Sequence, residues 1–164
     1  SNIIDMEKIP DERGFFARTW DSNIFKENGL ISNFVQSNIS FNSKKGTLRG
    51  LHYQDSPYEE AKLVRCTKGR VFEVMVDLRK NSHTYLHWDG HELNSNDGKM
   101  LYVPENFALG FQALEDNTEL FYQMSRSYVP EFSRGLKWND PKLKIEWPLE
   151  PTVISNKDSC FELI

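Results

Sequence analysis

Over much of the chain apolar and polar residues alternate with a period of two. Phe72, Val74, Val76 and Leu78 share one face of a candidate strand over 70–78, with Val71, Glu73, Met75 and Asp77 on the other. Similar runs predict strands over 33–41, 62–66, 85–93, 99–103, 107–114 and 119–128, and residues 11–20 run from a charged turn into an aromatic strand. Between them lies turn chemistry: Asn-Ser-Asn-Asp-Gly over 94–98, Pro-Glu-Asn over 104–106 and Glu-Asp-Asn over 115–117. Thr67-Lys68-Gly69 reads as a hairpin turn joining 62–66 to 70–78. One short helix is predicted over 22–28, with Ser22 as N-cap and Gly29 as its stop. The tail reads as irregular, with turns over 138–141 and 155–158 and an edge segment over 145–148. Short strands at regular spacing, with almost no helix, predict an all-β fold, a sandwich or jelly-roll barrel. No repeat, low-complexity tract or linker divides the chain, so one domain over 1–164 is expected.

Composition narrows the class. The 164 residues can bury a sizeable core, and the 13% aromatic content suits a strand-rich interior. A net charge of −4 speaks against non-specific nucleic-acid binding. No apolar run approaches the ~20 residues of a membrane span, and no signal peptide is visible. Cys66 and Cys160 are the only two cysteines and lack metal-ligand spacing, so a reduced, cytoplasmic protein is expected.

The stretch Gly46–Gln54, GTLRGLHYQ, carries the candidate chemistry. A glycine inside a strand pattern marks a bulge or a close approach of backbone. A bulge at Gly50 would turn Arg49 and His52 into one cavity, although strict alternation separates them. They would then supply an anion anchor and a proton-transfer group. The other reading is a hydrogen-bonded core histidine and a solvated edge arginine. Phe34, Gln36, Asn38 and Ser40 share a face that either lines a cavity or meets solvent.

A metal site needs three or four converging ligands. His83, His87 and His91 cluster around one strand and read as an exposed polar edge. Gln54 breaks any His-x-His pair with His52, and position 109 is Leu109, so no catalytic metal is predicted. The chain has no GxSxG elbow, no phosphate loop and no GxGxxG. Acid–base chemistry remains, with His52, tyrosines, Lys62, Glu73 and Asp158 as its material and no cofactor implied.

Collinear motifs cover nearly the whole chain: DERGFF (11–16), FVQSNIS (34–40), GTLRGLHYQ (46–54), KLVRCTKGRVFEVMVDLRKNSHT (62–84), YVPENFALGF (102–111), ELFYQMSRSYVPE (119–131), WNDPKLKIEW with Pro148, and ISNKD (154–158). Together they resemble the dTDP-4-dehydrorhamnose 3,5-epimerase family of the cupin superfamily. The resemblance implies a metal-free, cupin-type jelly-roll homodimer acting on a nucleotide-linked 4-keto-6-deoxy sugar. It casts His52 as base, Asp158 as its orienting carboxylate and Tyr122 as acid on the far face. Lys62 and Arg49 would stabilise an enolate oxygen. Arg13, Gln36, Asn38 and Tyr128 fall at nucleotide-binding positions, and Arg13 and Phe16 are expected to reach the partner subunit's site.

Three positions depart from the family pattern. Leu109 replaces the histidine of AHGF, Glu73 replaces a strand aspartate, and Arg18 replaces a glutamate near the nucleotide base. A carboxylate accepts from the thymine imide, whereas arginine suits guanine acceptors. The nucleotide (dTDP or GDP) and the sugar (hexose or heptose) therefore stay open, whereas inversion of both C3 and C5 through an enolate is expected, with inversion of C3 alone as the alternative. A 3,4-ketoisomerase and a non-catalytic sugar-nucleotide-binding cupin are the competing functions. GLHYQ and ISNKD speak against the first, and retention of His52, Tyr122 and Asp158 against the second.

Overall fold

The computed structural model describes residues 3–164. Its strands are β1 (Ile3–Asp5), β2 (Lys8–Asp11), β3 (Gly14–Ala17), β4 (Gln36–Asn42), β5 (Thr47–Gln54), β6 (Lys62–Lys68), β7 (Arg70–Asp77), β8 (Trp88–Asn94), β9 (Lys99–Val103), β10 (Phe107–Ala113), β11 (Thr118–Met124), β12 (Ser133–Gly135) and β13 (Val153–Ile154). Two short helices, α1 (Ser22–Glu27) and α2 (Asn156–Ser159), flank them. One sheet has the order β1-β9-β6-β11-β4 and the other β12-β5-β10-β7-β8, with β13 added to β5 and β2–β3 forming a separate hairpin. From β4 to β11 the chain changes sheet at each connection except β7 to β8. This is an all-β jelly roll of the cupin type. No helix among the described residues is long and apolar enough to cross a membrane.

The expected β6–β7 hairpin is not formed. β6 pairs with β9 and β11, whereas β7 pairs with β8 and β10. Thr67-Lys68-Gly69 is instead a corner between sheets. Gly69 has a φ of +75°, and a Cβ there would stand 2.7 Å from Thr118 Oγ1. A turn of this composition serves either purpose, and only the distant strands decide which.

Three apolar layers fix the sheets. Val64, Cys66, Leu101, Val103 and Leu120 meet Val71, Met75 and Leu93 between them. On the outer face of the second sheet, Leu51, Val74, Val76 and Ala108 are covered by Leu136, Leu143 and Trp147 of the tail. β7 is thus buried on both faces. Its two apolar faces serve two different layers, at roughly 1.5–3 kcal/mol per buried aliphatic side chain. The segment over 145–148 is therefore a cover for β7 and β5 rather than an edge strand.

On the outer face of the first sheet, α1 seats Phe25 against Phe34 and Tyr102, with ring centroids 6.1 and 6.2 Å apart. Phe34 lies before β4 in this layer, not on the polar face with Gln36. Asp21, rather than Ser22, caps α1, accepting from the Asn23 and Ile24 N–H groups at 3.0 and 3.3 Å. β8 starts at Trp88 rather than at Tyr85. The Asp77 carboxylate gathers the Arg79 guanidinium and the Thr84 hydroxyl, holding 78–87 in turns.

Candidate active site

Between the two sheets lies a cavity of about 420 Å3, lined by residues of both. β5 supplies Arg49 and His52 to it, β6 Lys62, β7 Glu73, β10 Leu109 and Phe111, and β11 Tyr122. The bulge read at Gly50 explains how Arg49 and His52 share it. His52 faces Leu109 and Arg49 faces Phe111, so three steps along β5 match two along β10. Gly50 has a φ of +113°, and a Cβ there would lie 2.5 Å from Gly110 Cα and 2.8 Å from the Leu109 carbonyl oxygen. Only glycine permits this approach.

The tail completes the site. β13 pairs in parallel with β5, Val153 opposite Thr47 and Ile154 opposite Leu48. The chain then turns into α2, where Ser155 Oγ accepts from the Asp158 N–H at 3.1 Å. Asp158 Oδ1 lies 2.7 Å from His52 Nε2, and Oδ2 accepts from the Gly50 N–H at 3.1 Å. Burial opposes ionisation of Asp158. The His52 hydrogen bond and charge, with the Gly50 N–H, outweigh it and hold the carboxyl below its ordinary pKa. An ionised carboxylate only accepts, so His52 Nε2 carries the proton and Nδ1 is the basic nitrogen. The imidazole stays partly open, its side chain 40% exposed against 4% for Asp158, with the Phe161 ring edge-on at 6.0 Å.

Arg49 is fixed by donating from Nε to Asn42 Oδ1 at 2.8 Å and from a terminal nitrogen to the Phe41 carbonyl at 3.2 Å. Burial raises the Tyr122 pKa, and the nearby Arg49 charge partly offsets this, so the phenol stays protonated at neutral pH. Lys62 is buried and bonded to the carboxylate of Glu60. Burial pushes Glu73 up to about 8, with Lys62 pulling the other way, and neither of its carboxyl oxygens has a hydrogen-bond partner among the described residues.

Of the residues singled out in the sequence, His52, Asp158, Tyr122, Lys62, Arg49, Glu73, Leu109 and Tyr128 come together in or behind this cavity. Gln36 and Asn38 lie beside it. Gln36 donates to Asn38 Oδ1 at 3.1 Å and accepts from the Tyr128 N–H at 2.9 Å. Arg13, Phe16 and Arg18 do not line the cavity of their own chain. Arg13 pairs with Asp11 at 2.6 Å, Arg18 pairs with Asp21 at 3.2 Å, and Phe16 is exposed on β3. His91 bonds Asp89 at 3.0 Å, and no group of three or more potential ligands gathers among the described residues.

Sequence reasoning missed Glu60, Phe161, Ser133 and Lys157. Glu60 stood at the two-residue spacing that places a side chain beside Lys62. Lys157 lay inside the ISNKD motif and donates to Ser133 Oγ at 3.2 Å.

A family model described as dTDP-4-dehydrorhamnose 3,5-epimerase matches residues 1–164. A dTDP-4-dehydrorhamnose 3,5-epimerase of Methanothermobacter thermautotrophicus is 46% identical over 160 residues, covering 95% of this chain and 85% of its own. The crystal structure of the Bacillus anthracis dTDP-4-dehydrorhamnose 3,5-epimerase with TDP and PPi bound superposes with a TM-score of 0.95 at 34% identity, covering 99% of this chain and 93% of that one. A 3'-monoepimerase of Streptomyces bikiniensis in complex with dTDP-quinovose superposes at 0.91 with 27% identity, covering 98% and 82%. The chain belongs to the dTDP-4-dehydrorhamnose 3,5-epimerase family and is an epimerase of the isomerase class.

Proposed function

We propose that the chain, acting as one domain, inverts C3 and C5 of a dTDP-linked 4-keto-6-deoxy sugar through an enolate. The observation that carries this reading is the His52–Asp158 pair at 2.7 Å in a cavity that also holds Tyr122. The 4-keto group acidifies the hydrogens on its two neighbouring carbons. His52 Nδ1 removes one of them, and Asp158 steadies the imidazolium that forms. Negative charge then develops on the keto oxygen, where Arg49 and Lys62 stabilise it; one such preorganised donor contributes about 3 kcal/mol. Tyr122 returns a proton from the opposite face. Exchange of C3 and C5 hydrogens with heavy water, lost in His52→Asn, tests the reading.

The site is completed in a homodimer. β4 is one edge of the first sheet; Ile39 and Phe41 are exposed on it, and Val35 just before it. The β2–β3 hairpin exposes Ile9, Phe15 and Phe16. Laying the hairpin of one chain on β4 of its partner would cover both stripes, and it would carry Arg13, Phe16 and Arg18 to the partner's cavity.

A second reading, inversion at C3 alone, is supported by the likeness to the 3'-monoepimerase and by Leu109. An apolar wall at that position holds a second sugar pose less firmly.

A further inference from the structure

Glu73 is a fully buried carboxyl side chain, 0% exposed, in the wall of the catalytic cavity. Neither oxygen meets a donor among the described residues. Lys62, whose charge pulls the Glu73 pKa down, is bonded to Glu60 instead. Its partner on β10 is Phe111, and Leu109 lines the same cavity; neither offers a proton or a charge. Across the β7–β8 ladder stands His91, already held by Asp89 at 3.0 Å. From β6 the other titratable neighbour is Cys66, whose thiol is pushed up to about 12 by burial, with Glu73 among the lesser causes. Arg49 is engaged by Asn42 and Phe41, His52 by Asp158, and Tyr122 is a neutral phenol. Among the described residues, no group facing Glu73 is free to balance its charge.

We propose that Glu73 is a neutral carboxylic acid in the working enzyme, and that its proton keeps the Lys62 end of the cavity from becoming net negative, so that losing this proton blocks enolate formation. Glu60 and Lys62 cancel each other. With Glu73 protonated, the cluster is neutral and Arg49 adds a positive charge where the keto oxygen becomes an enolate. With Glu73 ionised, the cluster carries an uncompensated negative charge beside a second developing one, in a low-dielectric wall. The carboxyl is closed from solvent, so Glu73 acts through Lys62 and is a positioning residue. The step rests on the enolate reading above.

The test has two arms. In the substrate-free protein, infrared spectra of wild type minus Glu73→Gln at neutral pH should contain the carbonyl band of one neutral carboxylic acid. Its absence overturns the proposal whether or not a substrate is found. In turnover, the substrate exchange rate in heavy water is taken at about pH 7 and about pH 9.5, less the enzyme-free rate. Wild type should fall by roughly tenfold or more between them. For Glu73→Gln the ratio of the two rates should stay near one, whatever its absolute rate. An equal alkaline fall in both proteins, or none in wild type, overturns the proposal and leaves the epimerase reading standing.

Discussion

Asp158 Oδ1 stands 2.7 Å from His52 Nε2 although 106 residues separate the two. The contact is made by the tail, which adds β13 to β5 and then turns through α2 to present the carboxylate. The Gly50 N–H holds the second oxygen at 3.1 Å, so the bulge that aims His52 also anchors its partner. Replacing His52 by Asn should lower substrate deuterium exchange at least ~100-fold, and Asp158→Asn should act in the same direction with a smaller loss. Rates followed by NMR decide this; wild-type exchange in the His52 variant would remove the histidine from the mechanism.

Gly50→Ala should unfold readily, because the added methyl meets the β10 backbone at Gly110 and φ is +113°. A loss of about 3 kcal/mol or more is expected, since backbone cannot step aside as a side-chain tip does. Urea denaturation measures it, and a change under about 1 kcal/mol would show that the bulge tolerates a side chain.

The two buried carboxyls have opposite effects on stability against pH. Asp158 has a lowered pKa when folded, so its contribution is present above the unfolded carboxylate value and is lost as pH falls through the folded one. Glu73 has a pKa raised from 4.5 to about 8, so the folded state holds a proton that the unfolded chain releases, and stability falls as pH rises between these values. Glu73→Gln should therefore raise Tm more at about pH 8 than at about pH 5, whereas Asp158→Asn should flatten the acid limb. A Glu73→Gln effect independent of pH would contradict burial of a neutral acid.

Much of this site was legible from local signals. A glycine inside a strand pattern announced the bulge, and the bulge put Arg49 and His52 in one cavity. Spacing could not bring Asp158 to His52, because the link runs through a two-residue parallel pairing far along the chain. Only the resemblance to a family supplied it. The β6–β7 turn misled for a similar reason: Thr67-Lys68-Gly69 suits a hairpin and a corner equally, and the partners of β6 lie at β9 and β11. The leucine at 109 was visible, but not the pairing of Lys62 with Glu60, which leaves both Glu73 oxygens without a partner among the described residues.

The proposed dimer predicts that Phe16→Glu, on an exposed face of the hairpin, yields a monomer by light scattering and loses nucleotide binding in the same sample. A monomeric variant that binds as wild type would place the whole site within one chain.

Among the described residues Arg18 pairs only with Asp21, at 3.2 Å, and its side chain is 61% exposed, so it is free to meet a base across such an interface. If it does, Arg18→Glu should shift the ratio of dTDP to GDP affinity toward dTDP by calorimetry. An unchanged ratio would place Arg18 away from the base.

Incubation with dTDP- and GDP-linked 4-keto-6-deoxy sugars in heavy water, read by proton NMR, tests the central claim most directly. Deuterium should enter both C3 and C5, with coupling constants of the doubly inverted ring, and should vanish with His52→Asn. Label at C3 alone would select the single inversion, and no label at either carbon of any substrate would contradict enolate chemistry at His52.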